Sequence, residues 1–295
     1  MELRQLEYFV AVAEEANFTR AAERVHISQS GVSAQIRQLE QDLGAQLFDR
    51  SARAATLTDA GRAALVHARV VLAGADALRQ SVDEVSGLLR GRLVAGMVGG
   101  CTVTPFFEAL ASFHRAHPGI EVSLVEDASD RLVERVRAGE LDLALTGLVG
   151  ALPTGLGGRT LVDERLIAAV PPDHPLAARD AVTLDELCGH PLVCMPRGTG
   201  IRAALDEACA ARGLRPPVAV QASAPPAIAD LAQRGLGAAV LSESMAGLCE
   251  GRLRVLPITD ADTPALLALL WPSAVGPALR ELLRHCAQFL EPTRA

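Results

Sequence analysis

The chain has no lysine and a single asparagine, Asn17, so all 28 of its basic side chains are arginines. The codon usage of a GC-rich genome is the simplest explanation of this bias. No stretch reaches about 18 uninterrupted apolar residues, which excludes a transmembrane helix, and the amino terminus lacks a signal-peptide region. The sequence therefore predicts a cytoplasmic protein with no membrane partner. At 295 residues and 49% hydrophobic content, the chain can bury more than one core.

Catalytic motifs are missing as well. The sequence contains no G-x-S-x-G elbow, no Walker A loop, no G-x-G-x-x-G with an acidic partner and no H-E-x-x-H. His114 and His117 share a helix face, but Pro118 ends that helix and no acidic or cysteine ligand lies beside them, so we interpret both as exposed helix-end residues. The six cysteines are scattered without a C-x-x-C pair, as expected for reduced thiols. We therefore expect no enzyme activity, no cofactor and no metal site.

The most informative pattern lies between residues 18 and 43. It predicts a short helix capped by Thr19, a tight turn at residues 26–28 and a longer helix that ends at Gly44. Apolar residues of the second helix fall at spacings of 4, 3 and 4, which places one stripe toward a core: Val32, Ile36, Leu39 and Leu43. The opposite face carries short polar groups and a guanidinium, the groups that recognition helices use on DNA: Gln29, Ser30, Ser33, Ala34 and Arg37. The alternative is a solvated helix face.

The segment after Gly44 strengthens the DNA-binding interpretation. Residues 47–48 and 55–57 are predicted to form two short strands with Arg50 and Arg53 between them, which is a wing. The run ELRQLEYFVAVAEE, NFTRAAERVHISQSGVSAQIRQLEQDLGAQLFDR and LTDAG resembles the winged helix-turn-helix of LysR-type transcriptional regulators over about 60 contiguous residues. The resemblance implies that Gln29, Ser30, Ser33 and Ala34 lie toward the major groove, with Thr19, Arg37, Arg50 and Arg53 near the backbone or minor groove. Some members carry arginine where this chain has Ala34, which offers only an apolar contact, for instance to a thymine methyl.

The negative net charge of the chain opposes DNA binding, so the positions of individual charges must compensate for it. The net charge is −7, and residues 1–58 hold six arginines against eight acids. An acidic protein is a poor general binder of nucleic acid. We therefore expect dimerisation to supply much of the affinity for DNA.

Beyond the wing, a long helix is predicted from the cap Thr58 to about Leu88. Its apolar residues settle into an alternation of 3 and 4, typical of a coiled-coil seam: Ala60, Ala64, Ala68, Val71, Ala75, Leu78, Val82 and Val85. The family resemblance makes this helix a dimerising linker, and a twofold partner is the simplest way to bury its stripe. The alternative is packing against its own chain.

The region from Gly91 onward looks internally duplicated. Strand-like runs begin near residues 93, 122 and 143, and again near 192, 218 and 238, with helical patterns between them. This alternation predicts parallel α/β units in two lobes, with a ligand cleft at the carboxyl ends of their strands. The region resembles the effector-binding part of LysR-type regulators, which folds like a periplasmic solute-binding protein. That resemblance implies crossings between the lobes near residues 161–166 and 265–270 and a final helix, residues 277–290, on the first lobe.

Two strand-to-helix turns are the predicted lining of the cleft. Residues 99–104 and 196–200 both combine glycine with small hydroxyl side chains at a helix amino terminus, where exposed N–H groups attract an anion. The candidate effector-binding residues come from these turns and from the ends of two further strands: Cys101, Thr102, Thr104, Thr146, Arg197, Gly198, Thr199 and Ser223. The alternative is that each turn is only a tight connection.

Together these patterns predict a fold and a function. The fold is an N-terminal winged helix-turn-helix, mainly α (residues 1–58), joined by a long linker helix (59–90) to a two-lobed α/β periplasmic-binding-protein-like domain (91–295). Lobe I spans about 91–162 plus 267–295, and lobe II about 163–266. The function is a LysR-type regulator that binds double-stranded DNA with paired half-sites as a dimer or tetramer and responds to a small, anionic effector. RNA polymerase is a further candidate partner. The rival is a redox sensor of the same architecture that uses Cys194 and Cys209, and an enzyme with a DNA-binding head lacks a catalytic constellation.

Overall fold

The computed structural model describes residues 1–49, 55–85, 89–99 and 103–290. The chain divides into two compact units. The first contains Met1–Gly91 with the short segments Arg137–Glu140 and Gly276–Ala278, and the second contains the rest of the chain. Within the described ranges, every helix is too short or too polar to cross a membrane.

The first unit opens with three helices: α1 (Leu3–Glu15), α2 (Phe18–Arg24) and α3 (Gln29–Leu43). Helix α2 is capped by Asn17, whose side-chain oxygen accepts the backbone N–H groups of Thr19 and Arg20 at 2.8 and 3.1 Å. The prediction that Thr19 caps this helix is therefore wrong. Asn17 has the extended backbone that a cap requires, whereas Thr19 already lies inside the helix.

Helix α3 confirms the predicted turn and second helix. Ser28 caps its amino terminus by accepting the N–H of Gly31 at 3.1 Å, and Gly44 ends it with a left-handed φ of +68°. The apolar stripe buries three of its four predicted members against α1 and α2: Val32, Ile36 and Leu39. The fourth prediction is wrong, because Leu43 lies in the last turn and is 46% exposed.

The predicted wing is confirmed as a two-stranded antiparallel ribbon: β1 (Phe48–Asp49) and β2 (Thr56–Leu57). Phe48 anchors it, because its ring lies edge-on to both Phe9 and Phe18 with centroids 5.6 and 5.5 Å apart. Such aromatic pairs add about 0.5–1.5 kcal/mol beyond the area they bury. The arginines predicted between the strands, Arg50 and Arg53, lie outside the described residues.

Helix α4 (Asp59–Val85) is the predicted long helix. Thr58 caps it as expected, with Oγ1 accepting the N–H of Gly61 at 2.9 Å. The predicted seam divides into two parts. Ala64 and Ala68 pack into the core formed by α1, α2 and α3, whereas the later members of the stripe stay exposed in the single chain: Val71, Leu78 and Val82.

The second unit contains two five-stranded sheets. The first sheet has the order β4-β3-β5-β12-β6, with strands β3 (Gly91–Val98), β4 (Ile120–Asp127), β5 (Leu143–Val149), β6 (Leu156–Glu164) and β12 (Ala265–Pro272). The second has the order β11-β7-β10-β8-β9, with strands β7 (Leu166–Val170), β8 (Leu192–Cys194), β9 (Val218–Gln221), β10 (Ala238–Ser242) and β11 (Arg254–Pro257). Each sheet is the centre of one lobe.

Helices cover both sheets: α5 (Thr104–Ala116), α6 (Ser129–Arg137), α7 (Leu184–Cys188), α8 (Gly200–Ala210), α9 (Pro225–Gln233) and α10 (Pro277–Phe289), with short 3-10 helices at Pro175–Ala178 and Glu243–Cys249. The duplicated alternation of strand and helix is confirmed. The expectation of parallel sheets holds for β3 with β5 and for β8 with β9 and β10. It fails where the chain crosses between lobes, because β12 runs antiparallel to β5 and β6, and β7 runs antiparallel to β10 and β11.

Both predicted crossings are confirmed. Strand β6 ends at Glu164 in the first sheet, and β7 begins at Leu166 in the second. The chain returns through β12 to the first sheet, after which α10 packs on lobe I. There, His285 Nδ1 lies 3.0 Å from Ser112 Oγ of α5.

The two lobes touch through glycine backbone. A Cβ atom on Gly200 would lie 2.7 Å from the carbonyl carbon of Gly147, and one on Gly147 would lie 3.0 Å from the nitrogen of Gly200. Beside this contact, the N–H of Ser129 donates to the carbonyl of Gly198 at 2.8 Å. The amino terminus of α8 in lobe II therefore lies directly against β5 in lobe I.

We predict that Gly200→Ala lowers the free energy of unfolding by about 1–3 kcal/mol, because the added methyl group must displace backbone rather than a flexible side chain. Urea denaturation of the full chain measures the change. Gly247→Ala is the control, because a Cβ there meets no atom within 4 Å, and it should stay within about 0.5 kcal/mol of the wild type. Equal stability of the two variants would contradict the proposed contact.

Candidate functional site

The predicted reading surface is one exposed face of α3. Gln29, Ser30, Ala34 and Arg37 are exposed and Ser33 is half-buried, so solvent reaches the whole set. The Ser28 and Ser30 hydroxyls lie 3.1 Å apart, and Arg37 Nε donates to the carbonyl of Ser33 at 3.2 Å. Thr19, also exposed, lies in the first turn of α2. The structure thus presents donors, acceptors and one cation on a helix whose opposite face packs against α1 and α2.

Glu40 positions this helix relative to the wing, a role that the sequence patterns missed. The side chain is only 8% exposed, and its Oε1 accepts the backbone N–H groups of Leu47 and Phe48 at 2.9 and 3.3 Å. Glu40 is one of the eight acids of residues 1–58 whose charge opposes DNA binding. The sequence contains one hint, namely that Glu40 lies four residues after the buried Ile36.

A cavity of about 580 Å³ lies between the two lobes of the second unit. Lobe I contributes the end of β3, the start of α5 and residues of β6 and β12, and lobe II contributes the starts of α8 and α9 and the Glu243–Cys249 helix. Most of the described lining is apolar, including Val98, Val162, Met195, Ile201, Met245, Leu248 and Leu267. Glu164 is the charged residue of that lining, and its Oε2 accepts the N–H of Ser244 at 3.0 Å. The cavity therefore suits a small molecule with an apolar body.

Three helices begin at this cavity, and their amino termini have no side-chain cap. The cap positions of α5, α8 and α9 are Val103, Thr199 and Ala224, and none of these side chains bonds the first turn of its helix. Asn17 and Ser28 do cap α2 and α3 in the first unit. Uncapped N–H groups at a helix amino terminus attract an acceptor or an anion.

The positions of proline determine which of these helices can donate backbone N–H groups to a ligand. Helices α5 and α9 have proline in the first turn, which removes N–H groups there. Helix α8 begins with Gly200 and Ile201 and keeps its donors. Thr199 lines the cavity, and because its hydroxyl donates to the carbonyl of Pro196 at 2.8 Å, the side chain leaves those N–H groups available.

The predicted effector residues have different positions. Thr104 and Thr199 line the cavity, and Gly198 lines a smaller hollow of about 230 Å³ beside the contact between the lobes. Arg197 and Ser223 are exposed and line neither space. Thr146 also lines neither, because it is fully buried and its hydroxyl donates to the carbonyl of Ser129 at 3.3 Å. Two further predicted residues, Cys101 and Thr102, lie outside the described residues.

The described cysteines do not form the pair that the redox alternative requires. The sulfur of Cys209 lies 3.8 Å from that of Cys188, whereas the sulfur of Cys194 lies 3.7 Å from Nη1 of Arg202. Burial raises the pKa of Cys194 and, helped by the nearby Cys188, raises the pKa of Cys209 to about 12. Because the thiolate is the reactive form, both thiols are poorly suited to rapid oxidation.

A winged helix-turn-helix followed by a two-lobed domain with a cavity defines a class of DNA-binding proteins that respond to a ligand. Residues 3–62 match the model of the bacterial regulatory helix-turn-helix of the lysR family, and residues 86–291 match that of the LysR substrate binding domain. The chain belongs to the LysR family of transcriptional regulators.

Known regulators and solved structures are similar to this chain over most of its length. The transcriptional regulator ShiR of Corynebacterium glutamicum is 34% identical over 284 residues, covering 95% of this chain and 96% of that protein. The RuBisCO operon transcriptional regulator of Allochromatium vinosum is 33% identical and covers 82% of this chain and 80% of its own length. A full-length OxyR variant from Pseudomonas aeruginosa superposes with a TM-score of 0.75 at 26% identity, covering 99% and 96%. CbnR in complex with its target DNA gives 0.57 at 26% identity, covering 98% and 99%.

We predict that hydrogen peroxide at neutral pH produces no Cys194–Cys209 disulfide in the native full-length chain. Because a thiol with a pKa of about 12 is almost wholly protonated at pH 7, it presents little of the reactive thiolate. Slow oxidation should instead join Cys188 to Cys209, whose sulfurs are already close. Peptide mapping by mass spectrometry distinguishes the products, and rapid formation of the Cys194–Cys209 bond would favour the redox sensor.

Proposed function

We propose that this LysR-family regulator reads its operator with the amino-terminal half of α3 and changes its DNA binding when a small organic acid occupies the cavity between its lobes. The observation that carries the proposal is the apolar cavity at which α8 begins without a side-chain cap. The effector would place a carboxylate or similar acceptor at the first turn of α8 and its apolar body against residues such as Met195 and Ile201.

Placement of charge, rather than its total, supports DNA recognition by α3. The reading face combines Gln29 and Ser33, which suit base edges, with Arg37, which suits phosphate or guanine. Glu40, which would otherwise repel phosphate, is withdrawn from the surface by the wing N–H groups. CbnR, a structural neighbour, is seen in complex with its target DNA. We propose that Thr19 and Arg37 contact the DNA backbone. Arg50 and Arg53 are predicted from the sequence to contact the DNA backbone or the minor groove.

Helix α4 is the proposed dimer interface. Val71, Leu78 and Val82 are 43%, 69% and 64% exposed in the single chain, and their spacing suits a facing helix from a second copy. A twofold dimer presents two α3 helices to paired half-sites and compensates for the weak charge of each. We therefore propose residues 1–58, 59–90 and 91–295 as the DNA-binding, dimerising and effector-binding regions.

An effector can act only through its different affinity for the two arrangements of the lobes. Because the start of α8 lies on Gly147 of lobe I, a ligand at that helix terminus contacts both lobes at their meeting point. We infer that it shifts the balance between closed and open lobes.

The membership of a family of DNA-binding regulators also leads us to propose that the protein acts in the cytoplasm and without enzyme activity of its own, with RNA polymerase as a further partner.

We predict that Gln29→Ala and Ser33→Ala each reduce discrimination between operator and mismatched sites by about 1–3 kcal/mol, because each removes a contact to base edges. Arg37→Ala should weaken binding to all sequences and reduce the salt dependence by about one charge. Gel-shift titrations with paired half-sites at several salt concentrations measure both effects.

Gln35→Ala is the matched control for the DNA experiment. Gln35 is exposed on the same helix, but it lies about 200° around the helix from Ser33 and faces away from the reading surface. Its replacement should leave affinity and site preference unchanged. Unchanged site preference in the Gln29 and Ser33 variants would remove those residues from the reading surface.

We predict that straight-chain or aromatic monocarboxylates raise the melting temperature of the full-length chain more than their neutral amides, by mass action on the folded state. Thr199→Val removes the hydroxyl that bonds the Pro196 carbonyl and fixes the turn before α8. Because that turn presents the N–H groups of α8, the loss of this one hydrogen bond should weaken the best of these acids about tenfold and should reduce its effect on DNA footprints in parallel. Thermal-shift titration and footprinting are the two measurements.

Thr146→Val is the matched control for the effector experiment. It makes the same chemical change and also removes a hydroxyl that bonds a backbone carbonyl, but at a site that lines neither space between the lobes. Its acid affinity should equal that of the wild type. Equal stabilisation by acids and amides would show that the effector is not recognised by its charge, and normal affinity in Thr199→Val would place the pocket elsewhere.

A further inference from the structure

Three metal-binding side chains meet on lobe I, away from the cavity. The prediction that His114 and His117 are exposed helix-end residues holds for His114, but it is wrong for His117, which is half-buried. Helix α10 brings Glu281 and His285 to it. No spacing in the sequence announces this cluster, because about 160 residues separate His117 from its partners.

The three side chains are arranged as ligands of one ion. One ligand atom from each of His117, Glu281 and His285 lies within 4.8 Å of the other two, and His117 Nε2 is 3.8 Å from Glu281 Oε2. Around a tetrahedral zinc ion, with bonds of about 2.0–2.1 Å, ligand atoms are separated by about 3.4 Å. Small changes of side-chain torsion would therefore close the site.

The surroundings hold both imidazoles in place. His285 Nδ1 lies 3.0 Å from Ser112 Oγ, which leaves Nε2 as its ligand atom and supplies the outer hydrogen bond that metal-binding histidines usually make. The ring of Phe113 contacts both imidazoles, with centroids 5.2 Å from His117 and 5.8 Å from His285. Glu281 and His285 are four residues apart on α10 and share one face of that helix.

We propose that His117, Glu281 and His285 bind one divalent transition-metal ion, for which Zn²⁺ is the best match. Two imidazoles and a carboxylate are typical zinc ligands, and water would complete the coordination. His117 follows the carboxyl end of α5, where the helix dipole favours a cation. Arg284 contacts Glu281 through an ion pair, but its side chain is 63% exposed and can turn into solvent when the metal enters.

The ion would join α10 to α5. Helix α10 is the last helix of the described chain and buries Leu279, Leu282 and Cys286, while His285 beside them contacts Ser112 and Phe113 of α5. An ion that binds only the folded arrangement stabilises it by mass action. The site is therefore a structural clamp on the first lobe, independent of the effector cavity.

The test uses the full-length chain without a histidine tag, freed of metal by dialysis against EDTA. Competition with a chromophoric chelator should show one equivalent of Zn²⁺ per chain, and Co²⁺ should produce the visible absorption bands of a low-symmetry site with nitrogen ligands. Zn²⁺ should also raise the melting temperature. His285→Gln and Glu281→Gln should each weaken Zn²⁺ at least about tenfold, and Ser112→Ala about tenfold through the lost outer hydrogen bond.

Two controls separate this site from general histidine binding. His114→Gln changes an exposed histidine on α5. His190→Gln disrupts the other close imidazole pair of the described residues, His174 and His190, whose ring centroids lie 4.7 Å apart. Neither substitution should change the affinity for Zn²⁺. Melting without metal shows whether each variant is folded, and gel shifts in EDTA report DNA binding separately. Wild-type chain that binds no stoichiometric Zn²⁺, or binding that survives in both His285→Gln and Glu281→Gln, would overturn the proposal.

Discussion

The backbone contact between Gly147 and Gly200 is the constraint on which the effector domain depends. Two segments approach so closely there that a methyl group on Gly200 would overlap the backbone of Gly147, and one on Gly147 would lie only 3.0 Å from the nitrogen of Gly200. This closeness places the first turn of α8 against the opposite lobe. A ligand bound at that turn would therefore contact both lobes, and its binding would affect how the two lobes are arranged.

The helices that begin at the cavity and the helices α2 and α3 of the DNA-binding region differ at their amino termini. In the DNA-binding region, the side chains of Asn17 and Ser28 accept N–H groups from the first turns of α2 and α3. In the effector domain, α5, α8 and α9 begin at the cavity, and their amino termini have no side-chain cap. Rigid caps favour a reading head of fixed shape, whereas uncapped N–H groups leave an interaction for a ligand to complete.

Burial also explains how an acidic chain can belong to a family of DNA-binding proteins. The Glu40 carboxylate accepts hydrogen bonds from N–H groups of the wing instead of facing solvent. Glu14 forms an ion pair with the buried Arg69 of α4 at 3.1 Å. Acids that pair inside the unit have less effect on the field at the reading face. A second copy of the chain, which the exposed stripe of α4 leads us to expect, would supply further affinity for DNA.

The sequence alone determined the elements, because local periodicity and turn chemistry are written in neighbouring residues. The spacing of Val32, Ile36 and Leu39, the end of α3 at Gly44 and the duplicated strands were all predictable in this way. Only tertiary structure decided which side chains meet. Glu40 became a buried acceptor, Cys209 found Cys188 rather than Cys194, and His117 met Glu281 and His285 from the far end of the chain. Such contacts depend on how distant elements pack, and no local pattern carries that information.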